Sequence, residues 1–379
     1  MKYVAFYDTI EYLHENRSFG FSSVNVVEYM AEALCDAVGE VEIISPTRTL
    51  NEKGFFRGRK TLVRKGIQLV QPPTFGVKTH FGRFFSLLFT QIWLLFYLLK
   101  NTKRGEQVVA YHSISTVETL KIAKKIKKLE LVLEIREIYT DLNETTDNKK
   151  KRELNYFKAG DKYIFPTELL NEKINTENKP YVVATGIYKA EKTLVNKYDD
   201  GKIHLVYAGT FNPEKGGALV SINMALYLNE NYHLHILGKD STEIMNIVLN
   251  AINEVDRKSS ATVTYDGILR GDEFNQFLQR CHIGLSTQNP VGEYNDSSFP
   301  SKILTYLANG LDVLSIKIPA VTSSPIGRYL YYYDLNDSKN IANAVMKINP
   351  RESKDTRAVL EQLNSDLIDN LHKLLLGNS

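Results

Sequence analysis

Residues 203–217 read IHLVYAGTFNPEKGG, and this stretch decides the architecture of the chain. Ile203 to Ala208 form an apolar run with the length of a buried strand. Gly209 lets the chain turn after that run, and a helix is predicted to begin at Gly216. Backbone N–H groups in such a loop can face an anion, and Lys215 can add a positive charge. An ordinary strand-to-helix loop with a surface lysine explains the same residues equally well.

The alternation of strands and helices continues from this stretch to Ile316. Apolar runs of strand length alternate with runs of helical periodicity, which indicates parallel strands joined by crossover helices. The remaining predicted strands are Tyr232–Leu237, Ala261–Tyr265, Ile283–Ser286 and Asp312–Ile316. The predicted helices are Gly216–Leu228, Thr242–Asn253, Gly271–Gln279 and Lys302–Ala308. The second half of the chain is therefore predicted to form one Rossmann-like domain.

The first half of the chain alternates in the same way. Its predicted strands are Tyr3–Tyr7, Val41–Ile44, Gly66–Val70, Gln107–Tyr111, Leu131–Ile135, Lys162–Pro166 and Tyr181–Ala184. Its predicted helices include Val24–Ala37, Phe84–Leu99 and Ser115–Lys128. A polar segment without periodicity, Lys189 to Lys202, places a domain boundary after Ile187. We predict an α/β fold of two doubly wound domains, residues 1–187 with a C-terminal helix at about 357–379, and residues 188–356.

Composition supports a globular protein of two domains. The chain has 379 residues, of which 43% are hydrophobic and 24% charged, so disordered and fibrous classes are excluded. A formal net charge of +3 is too small to indicate general nucleic-acid binding. The two cysteines, Cys35 and Cys281, are predicted to be buried apolar residues, which fits a reducing cytoplasm. The N-terminal apolar run reaches Asp8 too early for a secretion signal.

A second informative segment runs from Asn295 to Val313. Pro300 and Ser301 are typical of a helix start, so the hydroxyls of Ser297, Ser298 and Ser301 gather at an electropositive helix end. Lys302 in the first turn opposes the helix dipole unless an anion lies between them, as expected of a phosphate site. The alternative is an exposed lysine on a surface helix.

These two segments, with Gly267-Ile268-Leu269 between them, resemble the donor-binding domain of family 4 glycosyltransferases of the GT-B fold. The loop Gly209 to Gly216, the turn Gly267 to Leu269 and the helix Ser301 to Val313 resemble that family's signatures in order. In the first half, Gly20 before a helix resembles the family's glycine loop. The resemblance implies two Rossmann-like domains that face a central cleft.

The resemblance also implies roles for individual residues. The donor diphosphate is expected to contact the following residues: Lys215, Lys302, Gly20, Gly209, Thr210, Ser298 and Ser301. The base and the sugar are expected to contact a second group: Gly267, Ile268, Leu269, Ser297 and Thr305. The sequence departs from the family at Thr210, Ser297 and Thr305, where the family commonly has one arginine and two glutamates. A catalytically inactive subunit that binds nucleotide sugars therefore stays an alternative.

Two strand ends in the first half supply candidate catalytic groups. His112 follows one predicted strand and Glu137 follows the next, where a parallel sheet presents side chains to its crevice. Many members of the family carry a histidine near Glu137, so Glu137 is a replacement by position. A histidine enclosed in the core or in a loop explains His112 equally well.

The predicted helix Phe84–Leu99 is rich in aromatic residues and leucine. Its sixteen residues would span about 24 Å, which is short of a bilayer core of about 30 Å. Arg83, Lys100 and Lys103 flank it and Trp93 lies within it, so it can lie among anionic headgroups as an acceptor patch. Burial in the first domain is the alternative.

The resemblance implies a retaining hexosyltransferase that uses a nucleotide-sugar donor, with UDP as the expected nucleotide, and needs no metal and no cofactor. A lipid-linked glycan of a surface polysaccharide is the expected acceptor, and the protein is expected in the cytoplasm or on the inner face of the cell membrane. No nucleic-acid partner is expected, and a homodimer stays open. A sugar-nucleotide epimerase is the other enzyme class that this scaffold allows.

Overall fold

The computed structural model describes residues 1–142, 147–211, 217–290, 299–352 and 355–377. Contacts divide the chain into a first unit, Met1–Ile187 with Ser365–Ser379, and a second unit, Tyr188–Asn364. Each unit is built on its own sheet of mainly parallel strands, which confirms the predicted α/β class.

The main sheet of the first unit has the strand order β10-β9-β8-β7-β1-β2-β5-β4. All its pairs are parallel except β4 with β5. The small strands β3 and β6 form a separate antiparallel pair. The strands are Lys2–Val4 (β1), Val41–Ile44 (β2), Phe55–Phe56 (β3), Arg59–Arg64 (β4), Ile67–Gln71 (β5), Thr74–Phe75 (β6), Gln107–Tyr111 (β7), Glu130–Glu134 (β8), Lys162–Phe165 (β9) and Tyr181–Val183 (β10).

Helices connect these strands and cover an apolar core. Val108, Leu131 and Leu133 of the sheet pack with Leu94 and Leu98 of one helix, and all five side chains are buried. The helices of this unit are Phe21–Val38 (α1), His80–Asn101 (α2), Val117–Lys127 (α3), Tyr139–Leu142 (α4), Asp147–Phe157 (α5) and Glu168–Ile174 (α6).

The second unit has a wholly parallel sheet in the order β13-β12-β11-β14-β15-β16. Its strands are Ile203–Ala208 (β11), Tyr232–Leu237 (β12), Thr262–Gly267 (β13), Ile283–Ser286 (β14), Asp312–Ile316 (β15) and Tyr331–Tyr333 (β16). Its helices are Gly217–Met224 (α7), Thr242–Lys258 (α8), Gly271–Arg280 (α9), Ser301–Ala308 (α10), Pro319–Thr322 (α11) and Ser338–Val345 (α12), and Thr356–Leu376 (α13) ends in the first unit. The strand order reverses between β11 and β14, which makes their carboxyl ends the expected ligand edge.

Helix α2 is longer than the sequence pattern predicts, so its length does not fall short of a bilayer core. The Thr79 side chain accepts a hydrogen bond from the Gly82 N–H, so the helix begins at His80 rather than Phe84. Its 22 residues span about 33 Å. Among the described residues, α2 is the one helix that is long and apolar enough to cross a membrane, by length and composition alone.

Other departures involve segments with little periodicity. The basic run Lys149 to Arg152 lies in the first half of α5. Strand β16 and helix α12 were not predicted, and β4 adds an antiparallel edge to the first sheet. Short edge strands carry too few residues for a period to show.

Helix α10 is fixed to the second sheet by one buried tyrosine. The Tyr306 side chain is fully buried, and its hydroxyl accepts a hydrogen bond of 2.8 Å from the Ala208 N–H. The ring lies against Gly284 of β14, where an added Cβ would overlap the ring atoms. A glycine inside this central strand is therefore explained by the space that Tyr306 occupies.

Gly284→Ala is expected to lower the free energy of unfolding by about 1–3 kcal/mol, because the new methyl group overfills the contact with Tyr306. Thermal unfolding followed by circular dichroism measures the loss. In a Tyr306→Leu background the same change should cost clearly less, since the ring is gone. An equal cost in both backgrounds would show that the ring contact is not the cause.

Candidate functional site

A cavity of about 600 Å³ opens at the carboxyl edge of the second sheet. It lies at the reversal of strand order, since Gly209 follows β11 and Thr287 follows β14. Its volume falls within the range of small-molecule sites. The predicted residues in its lining are Gly209, Thr210, Ile268, Leu269, Ser301, Lys302 and Thr305.

Three glycines keep the strand ends at this edge close together. Gly209 N–H donates to the Leu237 carbonyl at 3.0 Å, and Gly238 N–H donates to the Gly267 carbonyl at 2.9 Å. A Cβ on Gly238 would overlap the Gly209 carbonyl oxygen, and Gly267 has a φ of +81°. Gly209 and Gly238 are cavity residues, so the backbone itself is accessible to a ligand there.

Lys302 lies over the face of a tyrosine at the same edge. Its Nζ is 4.1 Å from the centroid of the Tyr207 ring, and a Cβ on Gly209 would come within 3.3 Å of that nitrogen. The Tyr207 hydroxyl donates to the Thr210 carbonyl at 3.0 Å, and burial raises the pKa of Tyr207. The ring therefore stays neutral, and its face can attract the ammonium group.

The helix that carries Lys302 adds positive potential of its own. Ser301 is the first residue of α10, and the first turn contains no acidic side chain. The helix N-terminus and Lys302 thus present positive charge beside the backbone of Gly209, an arrangement that suits an anion.

The cavity lining also contains apolar side chains. Ile268, Leu269 and Phe274 line it, and Ile268 is 50% exposed. Thr305, one turn after Ser301, gives its hydroxyl to the Ser301 carbonyl at 3.3 Å. A lining that combines apolar side chains with positive charge can accommodate a flat ring attached to phosphates.

Three predicted residues, Lys215, Ser297 and Ser298, lie outside the described residues. The cavity also contains residues that were not predicted. Tyr207, Lys239 and Gln288 are lining residues, and Tyr207 supports Lys302 directly. The sequence indicates this contact only through the spacing of Tyr207 and Gly209. The alternation of β11 places Tyr207 on the side of the sheet where Gly209 follows the strand.

The predicted residues of the first unit lie at different depths. Gly20 is exposed and precedes α1 as its N-cap, with its carbonyl accepting from Ser23 N–H at 3.0 Å. Glu137 is half-buried after β8. Its neighbours Glu134 and Arg136 form a buried ion pair of 2.7 Å, and Arg136 also donates to the Ala184 carbonyl. Glu134 and Arg136 neutralise each other, so most of the charge at the end of this buried strand is paired.

His112 is enclosed in aromatic side chains. Its side chain is 1% exposed, and its ring stacks on Tyr139 at a centroid distance of 4.5 Å and packs against Tyr156 and Phe157. Nε2 lies 3.2 Å from Glu153 Oε1, and burial lowers the pKa of His112 to about 4. The imidazole is therefore neutral near pH 7 and shielded from solvent.

A buried charge cluster follows β1, and sequence reasoning did not find it. Arg59 contacts Asp8 at 2.7 Å and Glu15 at 2.5 Å, and Arg17 contacts Glu15 at 2.6 Å. Burial opposes ionisation of Glu15, but the two arginines outweigh it and lower its pKa. Asp8, Glu15 and Arg17 come from the segment between β1 and α1 and Arg59 from β4, so no local motif marks them.

Helix α2 turns an apolar face to solvent. We call this the aromatic face, and its exposed residues are Phe81, Phe84, Phe85, Leu88, Phe89, Ile92 and Phe96. Trp93 was predicted as part of the acceptor patch, but it packs on the core and stacks on Tyr97 at 5.1 Å. Arg83, Lys100 and Lys103 are exposed. The face that points outward is therefore more apolar than a surface helix normally shows.

Comparison with known proteins gives a result at the level of the fold. No protein-family model matches the chain, and no curated protein matches its sequence. Trehalose-6-phosphate synthase OtsA matches in structure with a TM-score of 0.63 and 10% identity over 99% of this chain and 97% of that one.

Two further solved structures match over nearly the whole chain. Sucrose-phosphate synthase from Thermosynechococcus elongatus has a TM-score of 0.63, 13% identity and coverage of 99% and 98%. Anabaena HepE, in complex with UDP and glucose, has a TM-score of 0.59, 10% identity and coverage of 99% and 98%. The predicted GT-B glycosyltransferase fold is confirmed, and membership of family 4 stays a prediction.

Lys302→Ala is expected to weaken the binding of inorganic pyrophosphate about 10- to 100-fold, because a hydrogen bond to a charged group contributes about 1.5–3 kcal/mol. Isothermal titration calorimetry at fixed ionic strength measures it. Lys317→Ala is the control, since Lys317 pairs with Asp334 outside the cavity lining. Equal affinities of the two variants would contradict the assignment.

Proposed function

We propose that this chain is a retaining glycosyltransferase that takes a hexose-type sugar from a UDP-sugar and transfers it to a lipid-linked or other polysaccharide-precursor acceptor. The observation that carries the proposal is the position of Lys302, over Tyr207 and beside the Gly209 backbone, in a cavity at the reversal of strand order. The GT-B fold supports the reaction class, and the UDP and glucose bound to HepE support the donor.

The chemistry that this site must supply is stabilisation of a leaving diphosphate. Negative charge develops on the phosphate oxygens as the bond to the anomeric carbon breaks. In the proposed complex, Lys302 and the N-terminus of α10 lie next to that charge before the reaction, and charge stabilisation of this kind is usually the largest contribution to lowering a barrier. We propose that these groups, with Lys215, act without a metal ion.

The two threonines in the cavity limit what can hold the sugar. Thr210 and Thr305 offer hydroxyl and carbonyl groups but no charge. We propose that they orient sugar hydroxyls together with Ser301, and that Gly267, Ile268 and Leu269 receive the base. In the first unit, we propose that Gly20 approaches the phosphates and that Glu137 orients the acceptor hydroxyl. The His112 side chain, predicted for the same role, is 1% exposed and does not suit a contact with the acceptor.

The protein is expected to bind UDP and one UDP-sugar more tightly than GDP and its sugars, without added metal. A thermal-shift and calorimetric panel measures binding, and release of UDP in the presence of lipid-linked glycans measures transfer. Binding without UDP release under any acceptor would favour the inactive subunit. Conversion of the donor without any acceptor would favour the epimerase or a hydrolase. Absence of all nucleotide binding would contradict the donor site itself.

We also propose that the aromatic face of α2 lies on an anionic membrane surface, at the inner face of the cell membrane. Phe81 and Phe96 are 73% and 65% exposed at opposite ends of this face. Exposed cations flank it at both ends, with Arg83 near the start and Lys100 and Lys103 near the end. Apolar insertion with basic flanks is the pattern of interfacial helices.

The double variant Phe84→Ser and Phe96→Ser is expected to lower affinity for vesicles of anionic phospholipid by at least about 100-fold, since each buried phenylalanine contributes about 1.5–3 kcal/mol. Vesicle co-sedimentation measures the loss. Ile126→Ser, at a 56% exposed position on α3, is the control and should bind as the unmodified chain does. A double variant that loses a dimer but keeps its vesicle affinity would show that a second copy covers the face.

A further inference from the structure

Three histidines converge on one face of the second sheet. His204 on β11 and His233 on β12 are register partners, and His235 follows two residues later on the same side of β12. One ring nitrogen of each lies within 4.8 Å of the other two. His204 and His235 are buried, and none of the three lines the cavity described above.

Two of these rings are the centre of a chain of polar contacts. His204 Nδ1 lies 2.9 Å from His235 Nε2. The outer nitrogen of each ring faces a carboxylate: His204 Nε2 is 3.0 Å from Asp200 Oδ1, and His235 Nδ1 is 3.1 Å from Asp266 Oδ2. The order is therefore carboxylate, imidazole, imidazole, carboxylate.

The number of protons in this chain points to what the central contact holds. Each of the three contacts needs one hydrogen, but two neutral imidazoles supply only two, and carboxylates only accept. The deficit is removed either by a proton on one of the two rings or by a metal ion at the centre, and the third histidine nitrogen within 4.8 Å of the other two favours the metal ion. With a metal ion, each ring directs a lone pair inward and donates its outer N–H to a carboxylate, which is the pairing that orients histidine ligands of metals.

We propose that His204, His233 and His235 bind a divalent transition-metal ion of the zinc class, between His204 Nδ1 and His235 Nε2. Imidazole nitrogen is a ligand that zinc prefers over magnesium or calcium. Zinc–nitrogen bonds of about 2.0–2.1 Å place two tetrahedral ligands roughly 3.3 Å apart, so the central contact widens by only about 0.4 Å. His233 supplies the third nitrogen.

The surroundings fix the ligands before the ion arrives. Tyr198 stacks on His204 at 4.1 Å, and Phe277 packs edge-on against His235 at 5.2 Å. His233 Nε2 lies 3.1 Å from Thr264 Oγ1, and the His233 ring stacks on the His235 ring at a centroid distance of 4.0 Å.

A fourth histidine, His282, lies nearby and makes a different contact. His282 Nδ1 accepts a hydrogen bond of 3.0 Å from the backbone N–H of His204. That nitrogen is therefore occupied, and the ring centroid lies 5.8 Å from that of His204. His282 provides a control of the same residue type at the edge of the cluster.

The full chain, freed of metal with a chelator and dialysed, is titrated with ZnCl2 by calorimetry, and with Co²⁺ for its visible absorption spectrum. We expect one ion per chain and a tetrahedral Co²⁺ spectrum. His233→Gln should lower zinc affinity at least about 10-fold, and Asp266→Asn about 10- to 100-fold. His282→Gln should bind zinc as the unmodified chain does.

UDP affinity and circular dichroism are measured on every variant, because they report folding of the second unit independently of zinc. No zinc binding by the folded, unmodified chain would overturn the proposal, and so would equal affinities of His233→Gln and the unmodified chain. If His235→Asn or His204→Asn fails to fold, His233→Gln still decides the question, since its side chain is only partly buried.

Discussion

The burial of Tyr306 is the constraint on which the second unit depends. Its hydroxyl accepts a hydrogen bond from the Ala208 N–H at the end of β11, and its ring occupies the space that Gly284 leaves open on β14. These two strands meet where the strand order reverses, so one side chain fixes α10 to both. Lys302 lies one turn earlier on that helix and reaches the cavity for this reason.

Charged side chains are arranged differently at the carboxyl edges of the two sheets. In the first unit the residues after β1 neutralise one another, because Asp8, Glu15, Arg17 and Arg59 form a closed set of ion pairs. In the second unit the edge is lined by glycine backbone, and a lysine lies above it. The paired charges of the first unit stabilise the loops that carry them. In the second unit, positive charge beside accessible glycine backbone favours the binding of an anion.

The sequence predicted the alternating elements and much of the cavity, because glycine-ended strands and a helix start are local signals. It left open whether the aromatic side of α2 is exposed or buried, since periodicity shows that a helix has an apolar side but not whether that side is covered. Trp93 faces the core for the same reason. The cluster of His204, His233 and His235 depends on strand register, which is set between residues about 30 positions apart.

The path of the chain through the two units has a consequence for synthesis. Residues 365–379 belong to the first unit, and Leu371 is fully buried there while His372 Nδ1 lies 2.9 Å from the Ala37 carbonyl. The ribosome makes these residues after the whole of the second unit. The second unit is thus the earlier one to have all its residues available, in contrast to domains that are completed in order from the N-terminus. Until residues 365–379 are made, the core of the first unit lacks buried side chains such as Leu371.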